Sequence, residues 1–234
     1  MTLPKHVVIV PDGNRRWATG RGLRAFLGHE AGAKTSEKIL RAALDLKIPY
    51  LTFWGASVDN IEKRPAAEVK FLLSVIESHF RKLMKDPVIF EHRVKVHVLG
   101  RWEELFPERL KKVIREAVEK TAGHNRHHLT FLLAYSGLDE MRAAIEGIAA
   151  EQVRRPRRKI TDKVVKAHLW TKDLPPADLV VRTGGAPHWS SGFMMWDVAY
   201  AQLYFTETLW PEFSVTEFRS ALRTYGREGR RFGK

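Results

Sequence analysis

The stretch His6-Val7-Val8-Ile9-Val10-Pro11-Asp12-Gly13-Asn14-Arg15-Arg16-Trp17-Ala18 decides how the chain is read. His6 to Val10 is an apolar, β-branched run that predicts a short buried strand, and Pro11 ends it. A carboxylate (Asp12), a glycine (Gly13), an amide (Asn14) and two guanidinia (Arg15, Arg16) follow at once, with Arg21, Arg24 and His29 beyond them. An apolar-periodic helix is predicted next, over 31–47. In open α/β sheets, the loop between a strand end and the following helix is where ligands bind. Glycine permits close backbone approach there, and arginine offers a planar fork that matches phosphate oxygens. A lone carboxylate among so many cations suits Mg²⁺ carried on a polyphosphate, because Mg²⁺ takes one or two carboxylates plus substrate phosphates.

Outward from this stretch, strand-like runs recur at 50–54, 94–99, 129–135 and 178–182, with a short run at Leu203–Phe205. Helix-like segments separate them at 31–47, 65–85, 106–122, 138–153 and 161–170, and another follows at 214–224. The alternation predicts an α/β fold, one domain over 1–234 with a mainly parallel central sheet flanked by helices. The segment 65–85 carries Val69, Phe71, Leu72, Leu73, Val75, Ile76, Phe80 and Leu83, more than one narrow stripe needs. It reads either as a deeply buried core helix or as one wall of an apolar cavity.

Forty Lys plus Arg against 27 Asp plus Glu give a net charge of +13, which favours anionic partners: nucleic acid, lipid headgroups or phosphorylated substrates. The absence of cysteine excludes a disulfide framework, a thiolate metal site and a thiol nucleophile, and is compatible with the cytoplasm. No apolar run approaches the roughly 18 residues of a spanning helix, and Met1–Lys5 does not open a signal peptide. The run Arg154-Arg155-Pro156-Arg157-Arg158-Lys159 reads first as a solvated loop and second as a contact with anionic membrane or nucleic acid. The histidines of His124-Asn125-Arg126-His127-His128 lack the i, i+4 spacing of a helical metal site, so the segment reads as a polar turn.

Two further polar constellations follow strands. In 55–68, Ser57 and Asn60 offer neutral hydrogen bonds, Arg64 a phosphate fork, and Pro65 and Glu68 suit the first turn of the next helix. In 178–197, a strand delivers Arg182 into a Gly-rich loop with His188, Ser190 and Ser191, whose backbone amides could cradle an anion.

The blocks Pro11–Ala18, Gly28–Gly32, Ser57–Val69, Asp178–Gly185, Leu203–Phe213 and Arg230–Gly233 together resemble the cis-prenyltransferases, the undecaprenyl diphosphate synthase-like enzymes. The resemblance covers nearly the whole chain in order. It implies condensation of isopentenyl diphosphate with an allylic diphosphate primer, loss of pyrophosphate and formation of a cis double bond. It also implies Mg²⁺, an apolar tunnel for the growing chain, a homodimer and a cytoplasmic enzyme that can sit peripherally on a membrane; no nucleic-acid module is implied.

By the same resemblance, Asp12 is the key carboxylate and metal ligand. Gly13, Asn14, Arg15, Arg16 and His29 grip the allylic diphosphate, and Asn14 takes part in catalysis. Arg24 is assigned to that group in preference to the neighbouring Ala25, which could not hold phosphate. Ser57 and Asn60 match a catalytic polar pair, Arg64 and Glu68 the charged pair beyond it, and Arg182, His188 and Ser190 the isopentenyl diphosphate site. The chain departs from the family pattern at Ala186, where a glutamate is usual, at His188 in place of an arginine, and at Gln202 in place of a second glutamate. These changes bear on metal and isopentenyl diphosphate binding, and leave a catalytically weak partner subunit as the alternative reading. The absence of a DDxxD-type aspartate pair disfavours the trans-type prenyl synthases.

Overall fold

Strand β1 (His6–Val10) is buried at every position, as a central parallel strand covered on both faces must be. In the computed structural model, which describes residues 2–227, the chain continues through α1 (Asn14–Thr19), α2 (Leu27–Asp45), β2 (Tyr50–Trp54) and α3 (Val58–Glu62). Next come α4 (Ala66–Leu83), α5 (Pro87–Glu91), β3 (Val94–Leu99), α6 (Trp102–Leu105), α7 (Glu108–Lys120) and β4 (His127–Leu132). The last elements are α8 (Gly137–Arg154), α9 (Asp162–His168), β5 (Leu179–Arg182), β6 (Gln202–Phe205), a 3₁₀ turn at Trp210–Glu212 and α10 (Val215–Arg227). The block Arg230–Gly233 lies outside the described residues.

The six strands form one parallel sheet in the order β3-β4-β2-β1-β5-β6. Val7 and Ile9 face one side, where Leu51, Phe53, Leu129 and Val181 meet the buried faces of α2 and α10. Over β3 and β4 the same side is covered by α4 and α7 through Leu72, Ile76, Phe80, Leu110 and Ile114. Val8, Val10 and Val180 face the other side and pack with Tyr135, Phe193 and Met194. The fold class is the one the alternation predicts.

Several boundaries differ. Helix α2 begins at Leu27 rather than 31, and residues read as loop form the short helix α1. His127 and His128 belong to β4 and not to a polar turn. Their polar rings are satisfied across strands: His127 Nδ1 pairs with the Ile48 carbonyl at 3.0 Å, while His128 stacks on Tyr50 and lies 3.0 Å from His97 Nε2. The basic run is exposed, with Arg155 and Arg158 drawn to Glu151. The apolar cluster near the end divides: Trp210 and Phe213 are core, whereas Leu203 and Phe205 lie exposed on edge strand β6.

Candidate active site

From β1 the chain moves to β2 on one side and reaches β5, on the other side, only after β3 and β4. Loops leaving β1 and β5 therefore diverge, which opens a crevice at the carboxyl ends of the two strands. Arg182 ends β5 in register with Val10, and Asp12 follows two residues after Val10. Across the crevice, Arg182 Nη2 donates to Asp12 Oδ2 at 3.1 Å, and Arg16 Nη2 donates to Asp12 Oδ1 at 3.2 Å. Each carboxylate oxygen thus faces a guanidinium, in a cleft of about 620 Å³.

This cleft brings together Asp12, Gly13, Asn14, Arg15, Arg16, His29, Ser57, Asn60, Arg64, Arg182 and Ser190 from loops far apart in sequence. Local packing fixes the β1 side. Gly13 has φ of 106°, and a Cβ there would lie 2.8 Å from Leu209. A Cβ on Gly32 would lie 2.0 Å from Asn14 Oδ1, so α2 presses its small face onto the Asn14 side chain. Ser57 and Asn60 also form the reciprocal cap that starts α3: Asn60 N donates to Ser57 Oγ at 3.1 Å and Ser57 N to Asn60 Oδ1 at 3.3 Å.

Glu68, in the first turn of α4, stands just behind the cleft and holds its cations. Arg64 Nη1 donates to Glu68 Oε1 at 2.9 Å, Arg15 Nε is 3.6 Å from the same oxygen, and His29 Nε2 is 4.0 Å away. Burial, reinforced by the Arg64 charge, pulls the His29 pKa down to about 4, so the ring is neutral at neutral pH. On the β5 side, Arg182 Nη1 donates to the His188 carbonyl at 2.7 Å and to Ser190 Oγ at 3.1 Å. The His188 ring is exposed, its Nε2 3.4 Å from Arg182 Nη2, and does not line the cleft. Arg24 also stands apart, exposed and packed over the Phe26 ring.

Among the described residues, buried polar atoms without a partner include Asn14 Oδ1, Trp54 Nε1 and Arg182 Nε, all on residues that line the cleft. Such atoms cost roughly 1–3 kcal/mol each when left unmatched, so their clustering marks a place built to be completed by something else. Trp54 escaped the sequence reading because it is simply the last residue of a strand; its alternation out of phase with Leu51 and Phe53 was the available signal. Glu207 escaped as well: its carboxylate approaches Gly185 so closely that a Cβ there would lie 2.1 Å from Oε2.

Beneath the cleft lies a second cavity of about 130 Å³, which shares Asn14, His29, Gly55 and Leu72 with it. Its walls are largely hydrocarbon, from α2, α4, the sheet residues Phe53, Leu129 and Phe131, and Leu133 just beyond β4. Of the two readings of the segment 65–85, core helix or wall of an apolar cavity, the second applies to the face of α4 that carries Leu72, Ile76 and Phe80.

The sequence matches, over residues 10–233, the prenyltransferase family described as "Putative undecaprenyl diphosphate synthase". The chain belongs to this family. It is 36% identical to an isoprenyl transferase of Thermotoga maritima, over 100% of this chain and 98% of the relative. It is equally 36% identical to a tritrans,polycis-undecaprenyl-diphosphate synthase (geranylgeranyl-diphosphate specific) of Pyrococcus horikoshii, over 99% of this chain and 88% of the relative. Its fold superimposes with a TM-score of 0.93 on lavandulyl diphosphate synthase from Lavandula x intermedia, solved with dimethylallyl diphosphate, at 30% identity over 99% of both chains. The protein is therefore a prenyltransferase of the undecaprenyl diphosphate synthase type. Of the three positions at which the sequence departs from the pattern the resemblance implies, Ala186 and His188 lie in the loop after β5, at the cleft end of the sheet, whereas Gln202 pairs with Leu179 at the opposite end of the parallel strands.

Proposed function

We propose that this prenyltransferase joins isopentenyl diphosphate to an allylic diphosphate primer and releases a cis-polyprenyl diphosphate. The observation that carries this reading is the junction of two unlike spaces, a cation-lined cleft opening onto a hydrocarbon-lined cavity. That is the shape of an amphiphile with a diphosphate head and a prenyl tail. Burying the tail is favourable by about 0.8 kcal/mol per CH₂.

In the reaction, a carbon–carbon bond forms between C1 of the primer and the terminal alkene carbon of isopentenyl diphosphate. The allylic C–O bond breaks, pyrophosphate leaves, and one proton is released. Arg15, Arg16, Asn14, Gly13 and Arg64 are assigned to the primer diphosphate, with neutral His29 as a hydrogen-bonding neighbour. Arg182 and Ser190 are assigned to isopentenyl diphosphate, with His188 at its rim. Ser57 and Asn60 present polar groups between the two. Fixed guanidinia aimed at a departing pyrophosphate stabilise charge as it develops, without reorganising.

The donor set suits Mg²⁺ shared with substrate rather than held by a protein cage. Asp12 offers one partly exposed carboxylate, and no group of three or more His, Asp or Glu able to hold a metal occurs among the described residues. Asp12 would hold the ion against diphosphate oxygens, where it neutralises leaving-group charge.

The exposed Leu203 and Phe205 of edge strand β6, with Trp196 nearby in sequence, support a homodimer that covers this face. No helix among the described residues is long and apolar enough to cross a membrane. A cytoplasmic enzyme that meets the membrane peripherally accords with a lipid product and a +13 charge. Purified protein incubated with Mg²⁺, radiolabelled isopentenyl diphosphate and several allylic primers should yield labelled prenyl diphosphates that need both substrates. No product with any primer would overturn the reading and return the chain to the role of a non-catalytic partner.

A further inference from the structure

The hydrocarbon cavity has one polar seam. Between α2 and α4 it is formed by Glu37 and His79, beside Ser36, whose hydroxyl is turned back onto the Gly32 carbonyl at 3.2 Å. His79 Nδ1 lies 3.5 Å from Glu37 Oε1, and Lys82 Nζ reaches Glu37 Oε2 at 2.6 Å from the solvent side. Side-chain exposure rises along this row, from 29% and 30% for Glu37 and His79 to 63% for Lys82. At this level, one row of ionisable side chains stands between the cavity and water.

Stability does not account for the seam. Exposed ion pairs contribute little, and apolar residues at 37 and 79 would continue the packing that Leu40 and Phe80 provide around them. Its position along the cavity is informative. His29 marks the cleft end of α2, and Glu37 lies eight residues further, about 12 Å along the helix axis. A cavity of about 130 Å³ is close in size to the roughly 150 Å³ space that accommodates a benzene molecule. A tail longer than a few carbons must therefore push on a wall, and a hydrocarbon end that meets a half-hydrated carboxylate and imidazole gains nothing by advancing.

We propose that Glu37, His79 and Lys82 form a polar stop, built on the Glu37–Lys82 ion pair, in the side of the prenyl cavity and so determine product length. This rests on the prenyl-transfer reading above. Elongation continues while the hydrocarbon end advances through apolar space, and ends when that end reaches the seam. The three residues take no part in bond making, so the first condensation proceeds at its own rate whatever stands there.

The test is product sizing by thin-layer chromatography of labelled products from the wild type, His79→Ala, Glu37→Gln/Lys82→Met and His79→Trp. The expected result is a product longer by at least one five-carbon unit for His79→Ala, a smaller shift the same way for the double variant, and a shorter product for His79→Trp. The initial rate of single condensation should stay within about twofold of wild type in each. The double variant keeps side-chain volume, so it decides the matter if His79→Ala fails to fold. Unchanged lengths across the soluble, active variants would overturn the stop. Absence of any product from the wild type would overturn the prenyl-transfer reading instead.

Discussion

On the β1 side of the crevice, close contacts hold the chain: a side chain at Gly13 would strike Leu209, and one at Gly28 would approach the Asn14 carbonyl to 1.8 Å. On the β5 side the loop turns through positive φ at Gly184, Gly185, Ser191, Gly192 and Met194, and it holds Arg182 through the His188 carbonyl together with Ser190 Oγ. At position 188 it is the carbonyl that accepts from Arg182, a group every residue supplies. Gly13 and Asn14 are thus fixed by packing against Leu209 and the small face of α2, while at 188 the carbonyl can anchor Arg182 whatever side chain stands there.

The sharpest way to break this comparison is to remove the group that touches both sides. Asp12→Ala leaves Arg16 and Arg182 facing each other without their shared carboxylate, and removes the carboxylate that we assign to a substrate-borne metal. The side chain is 35% exposed and belongs to no core cluster, so folding should be retained. We expect kcat to fall by roughly 10²–10³, equivalent to about 3–4 kcal/mol of transition-state stabilisation, with a thermal midpoint close to wild type. Near-normal turnover by steady-state assay would remove Asp12 from the chemistry.

Arg182 tests whether the two sides serve different substrates. It is buried beside the β5 loop and contacts Ser190. Arg182→Ala should raise the KM for isopentenyl diphosphate by about 10- to 100-fold, the scale of a lost charge-assisted hydrogen bond, and change the primer KM much less. Equal losses for both substrates would mean that the sides of the crevice do not act as separate subsites.

Much of this architecture was legible because strands buried on both faces, such as β1, read as continuous apolar runs, while edge strand β3 shows the valines of Val94, Val96 and Val98 alternating with Lys95 and His97. The start of β4 was not, since His127 and His128 become strand residues only through partners on Ile48, Tyr50 and His97, remote in sequence. The arginines and Asp12 announced themselves by type and spacing. Arg24 has the same type and a similar spacing, but its guanidinium lies over the Phe26 ring at the surface rather than in the cleft. The polar seam at Glu37 and His79 was invisible, as it arises only when α2 and α4 are brought side by side.

The fixed side should also be the acid-sensitive one. His29 is neutral when folded because burial and Arg64 hold its pKa at about 4, whereas the unfolded chain protonates this histidine near 6.5. Between those values the unfolded state binds more protons, so this share of stability is present above about pH 6.5 and lost as pH falls towards 4. Calorimetry from pH 7 to 4 should show a thermal midpoint that drops more steeply for wild type than for His29→Gln. His97, also held at about 4, contributes in the same window to both proteins and cancels in the difference. Parallel slopes would show that His29 is as accessible to protons folded as unfolded.

The mildest change is a gain rather than a loss. His188 Nε2 stands 3.4 Å from Arg182 Nη2 at the rim of the cleft, with its ring exposed. An arginine there would add a permanent charge and a second fork within reach of a diphosphate, while its carbonyl still anchors Arg182. Against that gain stands repulsion between neighbouring guanidinia, which solvent screens because the site is exposed. His188→Arg should therefore lower the KM for isopentenyl diphosphate only a few-fold, leave the primer KM unaltered, and show the advantage most clearly at low salt. An unchanged KM at low ionic strength would place position 188 outside reach of the substrate. It would also locate the substrate's contact with this loop at Arg182 and Ser190, on the wall of the cleft rather than its rim.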